Sequence, residues 1–404
     1  MIETAEVAAL QRGASSRLWL AAAALLFAVA FGTNVSTPLL LIYRDRLGLS
    51  ASELTAIFGV YALGLAPSLL FGGPASDRYG RMRVLVPAVV LAGIASLVFL
   101  PAATSVPMLF VARFVQGLAS GAAFSVGSAW LQDLVGPVRA TTAARRASLA
   151  LNLGFCLGPL AAGVLAQWVV APLVLPYLVH VVLLGCLLAV ALLLVRSASW
   201  RDRPAGPTAS LLPRTGLGVP ARRVFRRTLI PTAVCVYAFP SVAVTVLPLE
   251  LHHRAHLVAL TGALAATALG SGALVQPFAH WFGRLRGVLG AALGALGYGA
   301  GALAAGPQAA ALVFAGGVLL GAGGGLCLNA GLLLVGELAP PATRGACNGL
   351  FYAWAYVGFA MPLLATSFVT TVHLVEPLVA LTGAAALTSL WLATHPVPLL
   401  PLPR

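Results

Sequence analysis

Four charges of both signs sit within seven residues, "DRYGRMR", which hold Asp77, Arg78, Arg81 and Arg83. A carboxylate there can lie against the positively polarised N-terminus of a neighbouring helix and hold two segments together reversibly. Gly80, in the middle of the stretch, permits a tight turn with positive φ. A second feature is Arg113 in "LFVARFVQGLASGAA", the one arginine placed well within an apolar run, with Gln116 and Gly117 following it. Three readings of Arg113 stand side by side: it faces a cavity with a partner, it snorkels to the nearby interface, or it anchors backbone carbonyls. A third feature is "GFCLGPLAAG". Its Gly154, Gly158 and Gly163 allow helices to approach closely, and Pro159 bends its helix by freeing a carbonyl. Ordinary small-residue packing accounts for the same stretch equally well. Groups for covalent chemistry are missing: there is no G-x-S-x-G, no H-E-x-x-H and no acid pair within an apolar run. His180 reads as a hydrogen-bonded structural residue or a titratable group. Cys156, Cys186, Cys235, Cys327 and Cys347 form no C-x-x-C and fall in apolar segments, so no disulfide, metal or cofactor is expected.

The elements that carry these residues follow from composition. The 404 residues are 60% hydrophobic and 8% charged, against roughly a quarter charged in soluble chains. Most of such a surface must face lipid or other helices. A membrane helix needs about 20 apolar residues. That ruler predicts twelve spans: 18–42, 53–72, 84–100, 108–131, 143–169, 173–195, 228–249, 257–279, 287–305, 309–335, 344–369 and 374–393. No period-two alternation supports a β-barrel. The N-terminal pattern, basic then apolar, is like a signal peptide, but its apolar run continues to Ile42, so it is read as the first span. The net charge of +14 comes from arginines in short loops, without a basic stripe of interleaved aromatics, so no nucleic-acid partner is expected. With both termini cytoplasmic, twenty arginines lie inside and three (Arg44, Arg46 and Arg254) outside. This bias sets the expected topology in the cytoplasmic membrane.

The stretch 196–227, rich in Arg, Pro and Gly, divides the spans six and six. The expected organisation is an N-terminal six-helix bundle (1–195), a cytoplasmic linker (196–227) and a C-terminal six-helix bundle (228–404). The stretch near 221–227 is compatible with an amphipathic helix on the inner leaflet. The halves also resemble each other. "PASDRYGRMR" aligns with "PFAHWFGRLR", pairing Gly80 with Gly283 and Arg81 with Arg284, and placing His280 where Asp77 stands. "GLASGAAFSVGSAWLQD" aligns with "GAGGGLCLNAGLLLVGE". Two related bundles are the parallel-repeat arrangement of large transporters.

In that setting "GPASDRYGRMR" resembles the signature of the major facilitator superfamily, G-x-x-x-D-R-x-G-R-(R/K), in the loop between the second and third helices. The resemblance implies an all-α fold of twelve helices in two pseudo-symmetric bundles. It implies that Asp77, with Arg78, Gly80 and Arg81, holds a cytoplasmic gate against the eleventh helix, where Arg344 is the expected partner. The stretch with Arg113, Gln116 and Gly117 is similar to the family's R-x-x-Q-G element, whose arginine is associated with proton transfer. Gly158 and Pro159 fit its antiporter motif, with Ala162 in place of one glycine. The expectation is a monomeric, proton-coupled exporter of a small amphipathic or hydrophobic compound, working by alternating access in the lipid bilayer. Substrate contacts are expected from Asn34, Gln116, Asn152, Asn329, Tyr352, Trp354 and Tyr356, chosen by side-chain type and depth. The alternatives are a uniporter or uptake carrier for a polar solute, and a receptor that does not transport. No carboxylate falls at mid-membrane, which leaves proton coupling as the reading with least support.

Overall fold

The computed structural model describes residues 2–135, 140–197, 217–251, 256–304, 309–339, 344–367 and 374–395. Helices account for the regular structure, and no strand occurs among the described residues. A chain this apolar has no water to satisfy its backbone inside a bilayer, and the helix does so internally. The first half holds α1 (Ile2–Thr33), α2 (Ser36–Leu47), α3 (Ala51–Tyr79), α4 (Arg81–Val98), α5 (Val106–Val135), α6 (Ala140–Trp168) and α7 (Leu175–Ser197). The second holds α8 (Val219–Val224), α9 (Ile230–Thr245), α10 (Leu257–Val275), α11 (Arg286–Ala302), α12 (Ala309–Leu338), α13 (Arg344–Val357), α14 (Met361–Ser367) and α15 (Val375–Thr394).

Eleven stretches of the described residues are long and apolar enough to cross a membrane. One of them, Leu257–Ala302, has 46 residues, about 69 Å of helix at 1.5 Å per residue and twice the apolar thickness of a bilayer. It contains two crossings, α10 and α11, separated by a 3₁₀ turn, Gln276–Leu285, in which Gly283 has φ 51° and ψ −125°. Twelve crossings result, as the apolar runs predict. The first predicted span is not continuous, however. It breaks at Asn34 and Val35, between α1 and α2.

The chain forms two compact units. One comprises Met1–Ser36 and Val60–Leu211, the other Thr37–Gly59 and Leu212–Arg404. The second unit thus includes α2 from Thr37 onward and the start of α3. Of the linker, 198–216 lies outside the described residues. Its end forms α8 and a π-helical turn, Phe225–Leu229, where Val224, Phe225 and Leu229 are buried while Arg222, Arg223, Arg226 and Arg227 are exposed.

Packing repeats between the units. In the first, α4 packs on α5 and α7; in the second, α11 packs on α12 and α15. Small residues set the spacing of both. A methyl group on Gly121 of α5 would overlap the Leu65 carbonyl of α3, and one on Gly325 of α12 would overlap the Gly272 carbonyl of α10. These two glycines are partners in the sequence repeat. So are Gly80 and Gly283, and both take positive φ, 104° and 51°.

Candidate functional site

Two polar assemblies stand out in the first unit. The first is built on the charged turn. Helix α3 runs through Tyr79, and Gly80 alone separates it from α4, its N–H donating to the Ser76 carbonyl at 2.9 Å. This one-residue corner puts Arg81 beside the last turn of α3. Arg81 Nη1 lies 2.5 Å from Asp77 Oδ1 and donates to Ser76 Oγ at 2.6 Å. Its Nε donates to Asp133 Oδ2, near the end of α5, at 2.8 Å. One guanidinium therefore ties α3, α4 and α5 together. The side chain of Arg78 lies 5.4 Å from the centre of the Tyr79 ring. Asp133 was not among the residues expected to act. Its signal in the sequence was the repeat, which aligns it with Glu337. The expected partner of Asp77, Arg344, opens α13, and its side chain lies outside the described residues.

The second assembly surrounds Arg113, which is 1% exposed. The break after α1 releases carbonyls that a continuous helix would use. Arg113 Nη1 donates to Thr33 O at 3.0 Å, to Ser36 Oγ at 3.2 Å and to Gln116 Oε1 at 2.7 Å. Gln116 Nε2 donates to Gly32 O at 2.7 Å. Positions 113 and 116 share one face of α5, so both side chains meet the same discontinuity. The guanidinium carbon also sits 4.9 Å from the Tyr61 ring centre. Arg113 thus has one backbone carbonyl and two side-chain oxygens as acceptors.

Gly158 is buried on α6, and a methyl group there would overlap the Phe31 carbonyl of α1. Pro159, also buried, follows it inside α6. The two residues place α6 against α1 just before its break. His180 lies close by. Its Nε2 donates to Ala28 O at 3.1 Å, since a carbonyl can only accept, and Nδ1 therefore accepts from Ser96 Oγ at 2.7 Å. Both ring nitrogens of a neutral imidazole are used.

The expected substrate contacts are divided between the two units. In the first unit, Asn34 is half-buried at the break, Gln116 is engaged by Arg113 and Gly32, and Asn152 donates to Ser148 Oγ at 3.1 Å. In the second, Asn329 accepts a hydrogen bond from Arg286 at 3.0 Å. Tyr352 and Tyr356 share a face of α13, whereas Trp354 lies on another and is 37% exposed. Tyr356 stacks on Tyr237 of α9 at 4.7 Å, and Phe359 joins them at 5.3 Å from Tyr237. Phe58, which belongs to the same unit, stacks on Phe359 at 5.5 Å. Sequence reasoning missed Tyr237, Phe359 and Phe58, because single aromatics in apolar helices carry no pattern of their own. Every carboxylate among the described side chains lies near a helix end. No group of three or more His, Cys, Asp or Glu suited to a metal occurs among the described residues.

Known proteins share both the sequence pattern and the architecture. The sequence model of the Major Facilitator Superfamily matches residues 22–362. Multidrug resistance protein MdtL of Escherichia coli O45:K1 (strain S88 / ExPEC) is 29% identical over 230 residues, which cover 55% of this chain and 56% of that protein. The same protein from Escherichia coli (strain K12 / DH10B) is also 29% identical over 230 residues. The match thus spans a little over half the length of these relatives. Among solved structures, a POT family transporter in complex with 5-aminolevulinic acid superposes with a TM-score of 0.78 at 14% identity, covering 95% of this chain and 96% of that one. A variant of nucleoside transporter NupG superposes with a TM-score of 0.70 at 13% identity, covering 93% and 99%.

Proposed function

Because this chain belongs to the Major Facilitator Superfamily, we propose that it is a secondary active transporter that exports a small amphipathic or hydrophobic organic compound by alternating access. The observation that carries this reading is the buried polar hub at the α1 break, where Arg113 and Gln116 hold the carbonyls of Gly32 and Thr33. Helix discontinuities held by polar groups are where transporters bind substrates and move. The scarcity of charge away from helix ends favours an apolar or amphipathic substrate over a polar solute. Similarity to multidrug resistance proteins supports the direction of transport.

In this reading the chain works as a monomer, with both termini cytoplasmic and no cofactor. Asp77, Arg78, Gly80 and Arg81 control the cytoplasmic gate with Arg344 as the partner across it, and Gly158 and Pro159 set the angle of α6. Asn34, Gln116 and Asn152 of the first unit, and Asn329, Tyr352, Trp354 and Tyr356 of the second, are the substrate contacts. Proton antiport drives the cycle, and Arg113 couples the proton step to the break in α1. The test is efflux of lipophilic dyes from proteoliposomes containing the purified chain, with and without an imposed pH gradient. Gradient-accelerated efflux is expected. Flux that ignores the gradient would replace antiport with uniport, and no flux of any dye would overturn the exporter reading.

A further inference from the structure

The second copy of the charged turn lies beside a cavity of about 160 Å³ at the ends of α9, α11, α12 and α15. Volume limits its occupant. A space of this size matches a benzene-sized guest and falls short of the roughly 300–1,000 Å³ that a drug-sized ligand needs. Thr228, Thr232, Arg284, Arg286, Glu337 and His395 contribute its polar lining. Comparison with the first copy shows what is different here. There, Arg81 is bound by Asp77 four residues before it and by Asp133 of α5. Here His280 stands four residues before Arg284, and its Nδ1 donates to the Pro277 carbonyl at 2.8 Å. Of the two carboxylates, only the counterpart of Asp133, Glu337, is kept.

Arg286 is held by Asn329 through Nη1, and its Nε is buried with no hydrogen-bond partner among the described residues. A buried donor on a cation is costly until an acceptor reaches it. Arg226 and Arg227 are exposed just before Thr228 of the cavity wall and add positive field. Around the basic mouth, Leu285 is 57% exposed, Leu333 46% and Trp281 71%. Basic and aromatic side chains beside exposed leucines are the composition of a bilayer interface.

We propose that this cavity binds a phosphoryl anion, with Arg284 and Arg286 as its donors and the headgroup of a membrane phospholipid as its source. The site is independent of the export reading. The shared chemistry of a soluble phosphate would suit the same donors, so the test separates the two. Native mass spectrometry of the full chain in detergent is titrated with phosphatidylglycerol, with diacylglycerol, and with inorganic phosphate. One saturable equivalent of phosphatidylglycerol is expected, and none of diacylglycerol. Arg284→Gln and Arg286→Gln should each weaken it about fivefold, whereas Glu337→Gln should tighten it severalfold by removing a like charge. Arginine-dependent binding of inorganic phosphate without the lipid would keep the anion site and change its source. The same affinity in all variants would overturn the proposal. If Arg286→Gln fails to fold, unchanged affinities in both Arg284→Gln and Glu337→Gln suffice to do so.

Discussion

Arg81 and His180 show how differently two polar residues can serve one unit. Arg81 meets Asp77 and Asp133 at the unit's edge, where the three side chains are 17%, 48% and 43% exposed. Exposed ion pairs contribute about 0–1 kcal/mol each, so this cluster can open and close at small cost, as a gate requires. Asp77→Asn and Asp133→Asn are therefore expected to impair transport while changing the thermal unfolding of the purified protein little. Dye flux and an unfolding curve on the same preparation check this. Wild-type kinetics in both variants at normal protein levels would remove the cluster from the gate. His180 is 1% exposed and uses both ring nitrogens. His180→Ala leaves the Ser96 hydroxyl without its acceptor and opens a void beside Gly32. A loss of about 2–3 kcal/mol is expected, read as a clear fall in the unfolding midpoint. An unchanged midpoint would mean that these bonds add nothing net.

At the scale of elements, helix spacing depends on what glycine lacks. Gly158→Ala would place a methyl group against the Phe31 carbonyl, so α6 would have to move away from α1. Transport is expected to fall while insertion persists. Gly185→Ala on α7 is the control, since nothing lies within 4 Å of the added carbon. Gly80→Ala tests the corner instead: an alanine forced to φ 104° and ψ 146°, a conformation few residues but glycine adopt, costs about 1–3 kcal/mol, and lower stability with normal insertion is the expected result. Much of this was legible in the sequence. Apolar run lengths gave the crossings, and the repeat paired Gly121 with Gly325 and Gly80 with Gly283 before any geometry was known. The break at Asn34 and Val35 was not legible, because the donors that satisfy its carbonyls come from Arg113 and Gln116 on a different helix. Asp133 was missed for a similar reason: at a helix end a carboxylate looks solvated until Arg81 is seen to reach it. The aromatic group around Tyr237 draws on α3, α9, α13 and the turn after α13, so no single stretch announces it.

At the scale of the whole molecule, the two units carry related sequences but unequal polar parts. Arg113 belongs to the first, and its counterpart in the second is glycine, Gly316 or Gly317. A mid-span arginine costs roughly 2.5 kcal/mol or more unless it is satisfied, so its retention in one copy only argues for a task that one unit performs. Its bonds to Thr33 and Ser36 place it against the α1 break. If proton movement is linked to transport through that break, Arg113→Ala should weaken efflux driven by a pH gradient and spare substrate exchange, which needs no net proton step. Arg113→Lys should keep part of the driven flux, because the charge survives while the planar fork that reaches Thr33, Ser36 and Gln116 together does not. Both modes are measured in one proteoliposome preparation, with the quantity of inserted protein fixed. Equal loss of both modes in Arg113→Ala would make Arg113 part of substrate binding or packing. Driven efflux that survives the substitution would place coupling elsewhere in the molecule.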